Sequence, residues 1–342
     1  MSVRVEVVGE QRLAEALDAL LPAEPHLDYA NFAPVAHRGG AAEGLHRLRW
    51  LETKGRIFTL VATSDDGRPL ALLRAETRPW ESDHFDLAMA KLEMPVAHAD
   101  DETRFAALAA LYPEALRRLA ADAYAHVAIR TSTRDRAAGW AAQDAGARHV
   151  DTQVSWMCAL TGTPHDDALP EGLVFEEHDR ASVRTIAEAD WERLAHWGAA
   201  AFDRGPLVFD RTLPRDRAQD VYRVWTERVM RGEWADAILV VRRGGEVVAF
   251  ISMLEMPDVS AAAGRKVCGR GLGATLPEYR GLFTAIQREM IARRPLDASF
   301  MENETQVATI GSINVYARLG FRYLRSTSTW HARLDAGATS CA

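Results

Sequence analysis

The second half of this chain repeats the first, and that duplication restricts the fold more than composition does. The ends of the halves align without gaps: Thr131 falls on Thr305, Gly146 on Gly320, Arg148 on Arg322, Trp156 on Trp330 and Leu160 on Leu334. A glycine at the same point after a helix in both copies fits a C-terminal cap that needs a left-handed backbone. The paired tryptophans read as equivalent anchors on a last strand. Upstream, each copy has two strand-like runs joined by turn formers: "RIFTLVAT" and "LALLRAET" around "SDDGRP", then "DAILVVRR" and "VVAFISMLEM" around "GGE". A helical stretch, a further strand, a short helix and the tryptophan strand follow in each. Strands alternating with amphipathic helices define an α/β, or layered α+β, class. The repeat makes it a tandem of two domains, each a mixed, largely antiparallel sheet flanked by helices. The expected boundaries are 1–165, 166–336 and a tail at 337–342, with the turn-rich "TGTPHDDALPEG" as linker.

A length of 342 residues suits two domains. With 41 Lys+Arg against 48 Asp+Glu, a net charge of −7 argues against coating nucleic acid. No apolar run approaches the roughly 18 residues of a spanning helix, and the start lacks a basic segment followed by an apolar block, so no membrane partner is expected. Cys158, Cys268 and Cys341 are too few and scattered for a disulfide framework or a zinc site, which fits a reducing cytoplasm and implies no metal. The eleven histidines are scattered too, and His331 reads as a surface or core residue. The motifs H-E-x-x-H, G-x-S-x-G and G-x-x-x-x-G-K-[ST] are absent, so those metalloprotease, hydrolase and P-loop readings have no support. A monomer or homodimer is expected.

The copies differ where chemistry could reside. Between its hairpin and its next strand, the first has "ESDHFDLAMAKLEMPVAHADDETRF", without a glycine. The second has "VCGRGLGATLPEYRGLF", with Gly269, Gly271, Gly273 and Gly281 leading into a helix whose Leu282, Phe283, Ile286 and Met290 share one face. A strand that hands over to a helix through an Arg-Gly turn can bind phosphate on the first helical N–H groups. In the final helix Tyr316 stands where the first copy has Ala142, and a phenol can donate a proton where alanine cannot.

These features, with "TQVATIGSINVYARLGFRYLRSTSTWH", resemble the GNAT superfamily of acyl-CoA-dependent N-acyltransferases. Within it the chain is most similar to the TDP-fucosamine acetyltransferase type, over roughly residues 75 to 335. The resemblance implies that the turn residues Tyr279, Arg280, Gly281 and Leu282 hold the coenzyme pyrophosphate. It also implies that Ala274, Thr275 and Leu276 receive the pantetheine arm, that Thr309 stands at the family's asparagine position, and that Tyr316 protonates the departing thiolate. Acetyl-CoA would be the co-substrate. Started at Arg280, the family pattern Arg-x-x-Gly-x-Gly/Ala has Phe283 at its first glycine, while Ala285 satisfies its last position.

An amine attacking a thioester needs a neutral nucleophile, an oxyanion donor and a proton for the thiolate. Backbone N–H groups around Thr275 and Leu276 can serve the oxyanion. Glu255, Glu302 and Glu304, at strand ends, are candidates for deprotonating the ammonium through water. The expected reaction is acyl transfer to a primary amine of a small molecule, a nucleotide-linked amino sugar being one acceptor. The alternatives are a tandem-domain transferase that uses aminoacyl-tRNA and a non-catalytic ligand-binding module. The acceptor loop would be "FDRGPLVFDRTLPRDR", with Arg204, Arg211, Arg215 and Arg217.

Overall fold

The computed structural model describes residues 2–163, 171–201, 205–279 and 281–334. Arg204, Arg280 and the 337–342 tail therefore lie outside the described residues. The first copy builds β1 (Arg4–Val7), β2 (Arg56–Thr63), β3 (Pro69–Thr77), β4 (Met89–Leu92), β5 (Val96–Ala97), β6 (His126–Ser132) and β7 (Arg148–Ala159). The second builds β8 (Leu173–Asp179), β9 (Ala237–Arg243), β10 (Glu246–Glu255), β11 (Val267–Gly269), β12 (Gly273–Thr275), β13 (Phe300–Gln306) and β14 (Arg322–Arg333). The matched glycines both adopt the left-handed backbone that their position after a helix requires, with φ of 88° at Gly146 and 79° at Gly320.

Two compact units form, and their limits cross those of the copies. The first unit runs to Gln153 and adds Phe209–Leu213 and the chain from Arg325; the second holds Val154–Val208 and Pro214–Leu324. In the first, the strand order is β1-β2-β3-β4-β6-β14, with β5 on β3. Only β4 and β6 run parallel, and β14 lays Thr327–Arg333 antiparallel along β6. In the second, the order is β8-β9-β10-β11-β13-β7, with β12 on β10 and with β11 and β13 parallel. Just past the stretch of β7 in this unit, Leu160 N–H donates to Ser299 O at 2.9 Å. The last strand of each copy thus completes the sheet of the unit that the other copy builds.

Burial follows the amphipathic pattern. In the first unit the Asp101–Ala121 helix, capped by Asp100 accepting from Thr103 N–H, buries Leu108, Leu111, Tyr112 and Leu119 against Leu60, Leu73, Leu92 and Ile129. In the second, the Leu282–Arg293 helix buries Ile286 and Met290 in one cluster with Leu239, Phe250 and Met301. Among the described residues no helix is long and apolar enough to cross a membrane.

Candidate active site in the second unit

The site is built by a strand that changes partners. β11 pairs with β10 on one side (Leu254 opposite Gly269) and with β13 on the other, where the ladder ends at Gly269 opposite Glu302. The backbone then turns through φ of 151° at Gly269 and 56° at Arg270. It passes so close to β10 at Gly271 that an added Cβ would lie 1.8 Å from Ser252 O. Ser252 secures the crossing: its N–H donates to Leu272 O at 2.7 Å, and its Oγ accepts from Leu272 N–H at 2.8 Å. From there β12 pairs with β10 alone, so it parts from β13 and leaves an opening in the sheet.

The parity of the ladder decides what faces that opening. Leu276 N–H donates to Val248 O at 3.0 Å. Successive residues of an antiparallel strand point their N–H groups to opposite sides. Leu272, Ala274 and Leu276 therefore bond toward β10, while the N–H groups of Gly273 and Thr275 point into the opening. The expected oxyanion pair of Thr275 and Leu276 is reduced to Thr275: Leu276 N–H is spent on β10 and its side chain is in the core, while Gly273, the other outward donor, lies two residues back, about 6.6 Å along the strand.

After β12, Pro277–Tyr279 makes one tight turn, with Tyr279 N–H donating to Leu276 O at 2.9 Å and the Arg243 guanidinium 5.6 Å over its ring. Gly281, at φ 96°, precedes the Leu282–Arg293 helix, which has no side-chain cap and no acidic residue in its first turn. Thr284 N–H donates back to Gly281 O at 3.1 Å, while the N–H groups of Leu282 and Phe283 have no partner within the helix and favour an anion. Leu282 contributes backbone here, since its side chain is buried.

Tyr316 projects from the Ile310–Arg318 helix and is 5% exposed. Its ring lies 5.0 Å from Phe321, 5.9 Å from Phe283 and 6.3 Å from Trp156. Burial pushes the phenol above its ordinary pKa, so it stays protonated through neutral pH. Phe283, the departure from the glycine pattern, is thus a wall of the Tyr316 pocket. Thr309 sits at the start of the same helix, half-buried, with its N–H donating to Gln306 O.

No protein-family model matches the sequence. The chain is 24% identical over 198 residues to the spore coat polysaccharide biosynthesis protein SpsD of Bacillus subtilis, a stretch covering 56% of this chain and 63% of that one. Among solved structures, a GCN5-related N-acetyltransferase from Sphaerobacter thermophilus matches with a TM-score of 0.55 and 17% identity, over 97% of this chain and 96% of that one. A GCN5-related glucosamine N-acetyltransferase region of a fungal multi-domain β-N-acetylglucosaminidase gives 0.50 and 14%, over 97% of this chain and 38% of that one. The chain has the GNAT fold, in tandem.

The three candidate carboxylates of this GNAT unit differ in placement. Glu302, expected at a strand end, is fully buried beside the partner change, with Arg270 Nε 3.4 Å from its Oε2. Glu304 Oε1 accepts from Ser155 Oγ at 2.8 Å. Glu255 is exposed and pairs with Cys268, on the side where the sheet is still closed. Sequence reasoning passed over Asn303 and Gln287, both buried, whose side chains bond at 3.0 Å and tie β13 to the Leu282–Arg293 helix. The signal was a glutamine beside Ile286 on an apolar helix face.

The first GNAT unit has the same interruption and fills it. β5 pairs with β3 as β12 pairs with β10, and His98 N–H donates to Leu70 O at 2.8 Å, so Ala97 is the counterpart of Thr275. Ala97 N–H, aimed into that opening, is met by Glu24 Oε2 at 2.7 Å, and Ala97 O accepts from Arg104 Nη1 at 3.1 Å. Arg104, with no exposed surface, also binds Glu24 at 3.0 Å and Asp135 through Nε at 2.8 Å. The donor that a thioester would need there is already bound to a carboxylate of the protein.

Proposed function

We propose that the second unit transfers an acyl group from acetyl-CoA to a primary amine of a small molecule, with amino sugars, free or nucleotide-linked, as the acceptor class to test first. The observation that carries this reading is the parting of β12 from β13, which aims Gly273 and Thr275 N–H groups into a gap beside an uncapped helix N-terminus. A thioester laid in the gap would have its carbonyl oxygen beside one of those donors, Thr275 N–H, which favours the charge that develops as the amine nitrogen adds to the carbonyl carbon, and the pantetheine arm beside the other. Collapse breaks the C–S bond, and the Tyr316 phenol gives the thiolate its proton. The ammonium proton leaves through water. Glu302 and Glu304 are the carboxylates on β13 beside the gap, and Glu255 is the more remote one.

The amino-sugar choice is supported by the name of SpsD, which concerns polysaccharide biosynthesis, and by the glucosamine N-acetyltransferase description of one structural neighbour. The proposal places the reaction in the cytoplasm, by a monomer or homodimer without nucleic-acid or membrane partners. Calorimetric titration of the full-length protein with acetyl-CoA should give one site per chain, because the first unit's opening is filled. Thiol release should then depend on an added amino sugar, with the product heavier by one acetyl group. No coenzyme binding would end the proposal, and two equivalent sites would end its assignment to the second unit.

A further inference from the structure

We propose that the first unit carries a binding site for one divalent transition-metal ion, zinc by its donor set, formed by His126 Nε2, Asp210 Oδ2 and His331 Nδ1. These three atoms lie within 4.8 Å of one another. They come from three separate segments. His126 opens β6 and His331 lies near the end of β14, two strands paired antiparallel with His331 opposite Ala128 and His126 opposite Arg333. That register makes the two histidines diagonal neighbours on one face of the sheet. Asp210 is brought to them by Phe209–Leu213, which belongs to this unit although its flanks do not. None of the three is more than 6% exposed.

The carboxylate is oriented for the task. Its Oδ1 accepts from Thr212 N–H at 2.8 Å and from Thr212 Oγ1 at 2.7 Å, leaving Oδ2 to both imidazoles, at 2.8 Å from His126 and 2.6 Å from His331. The rings stand at 76° with centroids 4.5 Å apart, so both nitrogens aim at one point. A plain hydrogen-bonded lock could fan its donors over both oxygens; here three donor atoms converge. Two imidazoles and a carboxylate without thiolate suit zinc, nickel or cobalt better than magnesium or calcium. Bonds of about 2.0–2.2 Å would open the present contacts to about 3.3 Å, a movement of roughly half an ångström. The ion replaces the hydrogen-bonding protons. In neutral rings each proton moves to the other nitrogen, at His126 to Nδ1, which is buried without a partner. Three protein ligands leave a fourth tetrahedral position for water.

The test uses untagged, full-length protein, stripped with chelator and titrated with Zn²⁺ alone and with Co²⁺ alone. The expected result is one zinc per chain, a melting temperature that climbs with zinc concentration, and the intense visible bands of four-coordinate Co²⁺. Asp210→Asn and His331→Gln should each weaken binding by about 100-fold or more, and Thr212→Val, which touches only the carboxylate's far oxygen, by about 10-fold. Less than one ion per chain in the unsubstituted protein, or a Co²⁺ spectrum like that of the hydrated ion, overturns the site. So does unchanged binding in Asp210→Asn. If that variant fails to fold, Thr212→Val decides in its place, with unchanged affinity counting against the site.

Discussion

In the proposed reaction Tyr316 is both wall and reagent. Its ring is held by Phe283, Phe321 and Trp156, and only its hydroxyl distinguishes it from phenylalanine. Tyr316→Phe should therefore leave the melting temperature and coenzyme affinity alone while turnover falls by about 10²–10⁴-fold, the usual scale of proton donation. Near-normal turnover, measured where chemistry limits the rate, would mean that solvent protonates the thiolate. Asp151 makes a different residue-scale case. Its Oδ2 is buried without a hydrogen-bond partner, and burial raises its pKa from 3.8 to about 6, against smaller opposing effects of the Thr152 N–H and Arg130. The folded carboxyl keeps its proton to higher pH than the unfolded one. Its contribution to stability is thus lost as pH rises from about 4 to about 6, and the deficit is constant above. Asp151→Asn cannot titrate. It should be more stable than the natural protein by about 1–3 kcal/mol near pH 8, with the advantage vanishing near pH 4. Urea unfolding at the two pH values checks this, and an equal difference at both would refute the assigned cause.

At the scale of elements, β7 matters through Trp156, which lies half-buried in the second unit with its ring 6.3 Å from both Tyr316 and Tyr323. Trp156→Ala should lower stability by about 2–3 kcal/mol, less than for a fully buried aromatic. It should also reduce turnover, because Tyr316 loses a wall; an unchanged melting temperature and rate would deny β7 that role. The local elements were legible in the sequence: both hairpins, the glycine-rich strand into its turn, and the helix carrying Tyr316 all follow from short-range pattern. What the pattern could not reveal is set at long range. Whether Leu276 or Gly273 faces the opening depends on ladder parity, fixed by the contact of Ser252 with Leu272. The filling of the first opening depends on Glu24, far in sequence from Arg104. The exchange of last strands was hidden for another reason. β7 and β14 align with each other, tryptophan for tryptophan, so similarity alone cannot say which of β6 and β13 each one covers.

For the whole molecule, the two copies of one sheet have openings with opposite fates. One opening is bridged by the buried Arg104, Glu24 and Asp135, and removing one member of such a network typically costs about 3–5 kcal/mol. The other opening has outward N–H groups. The exchange of last strands makes the copies interdependent in a way that the expected boundary at 165 and 166 does not respect. A piece holding residues 1–165 would keep β7 without β13 and leave the β6 edge without β14. A piece holding 166–342 would keep β14 without β6, leave β13 uncovered and lack Trp156 beside Tyr316. Uncovered strand edges of this kind favour aggregation. Each piece alone should therefore melt without a cooperative transition and fail to bind acetyl-CoA. An equimolar mixture, refolded together, should form a one-to-one complex that regains both. Calorimetry and size-exclusion chromatography on the two pieces and their mixture make the comparison. If residues 166–342 alone unfold cooperatively at the temperature of the full chain and bind acetyl-CoA, β7 is dispensable, and the second copy is a domain in its own right.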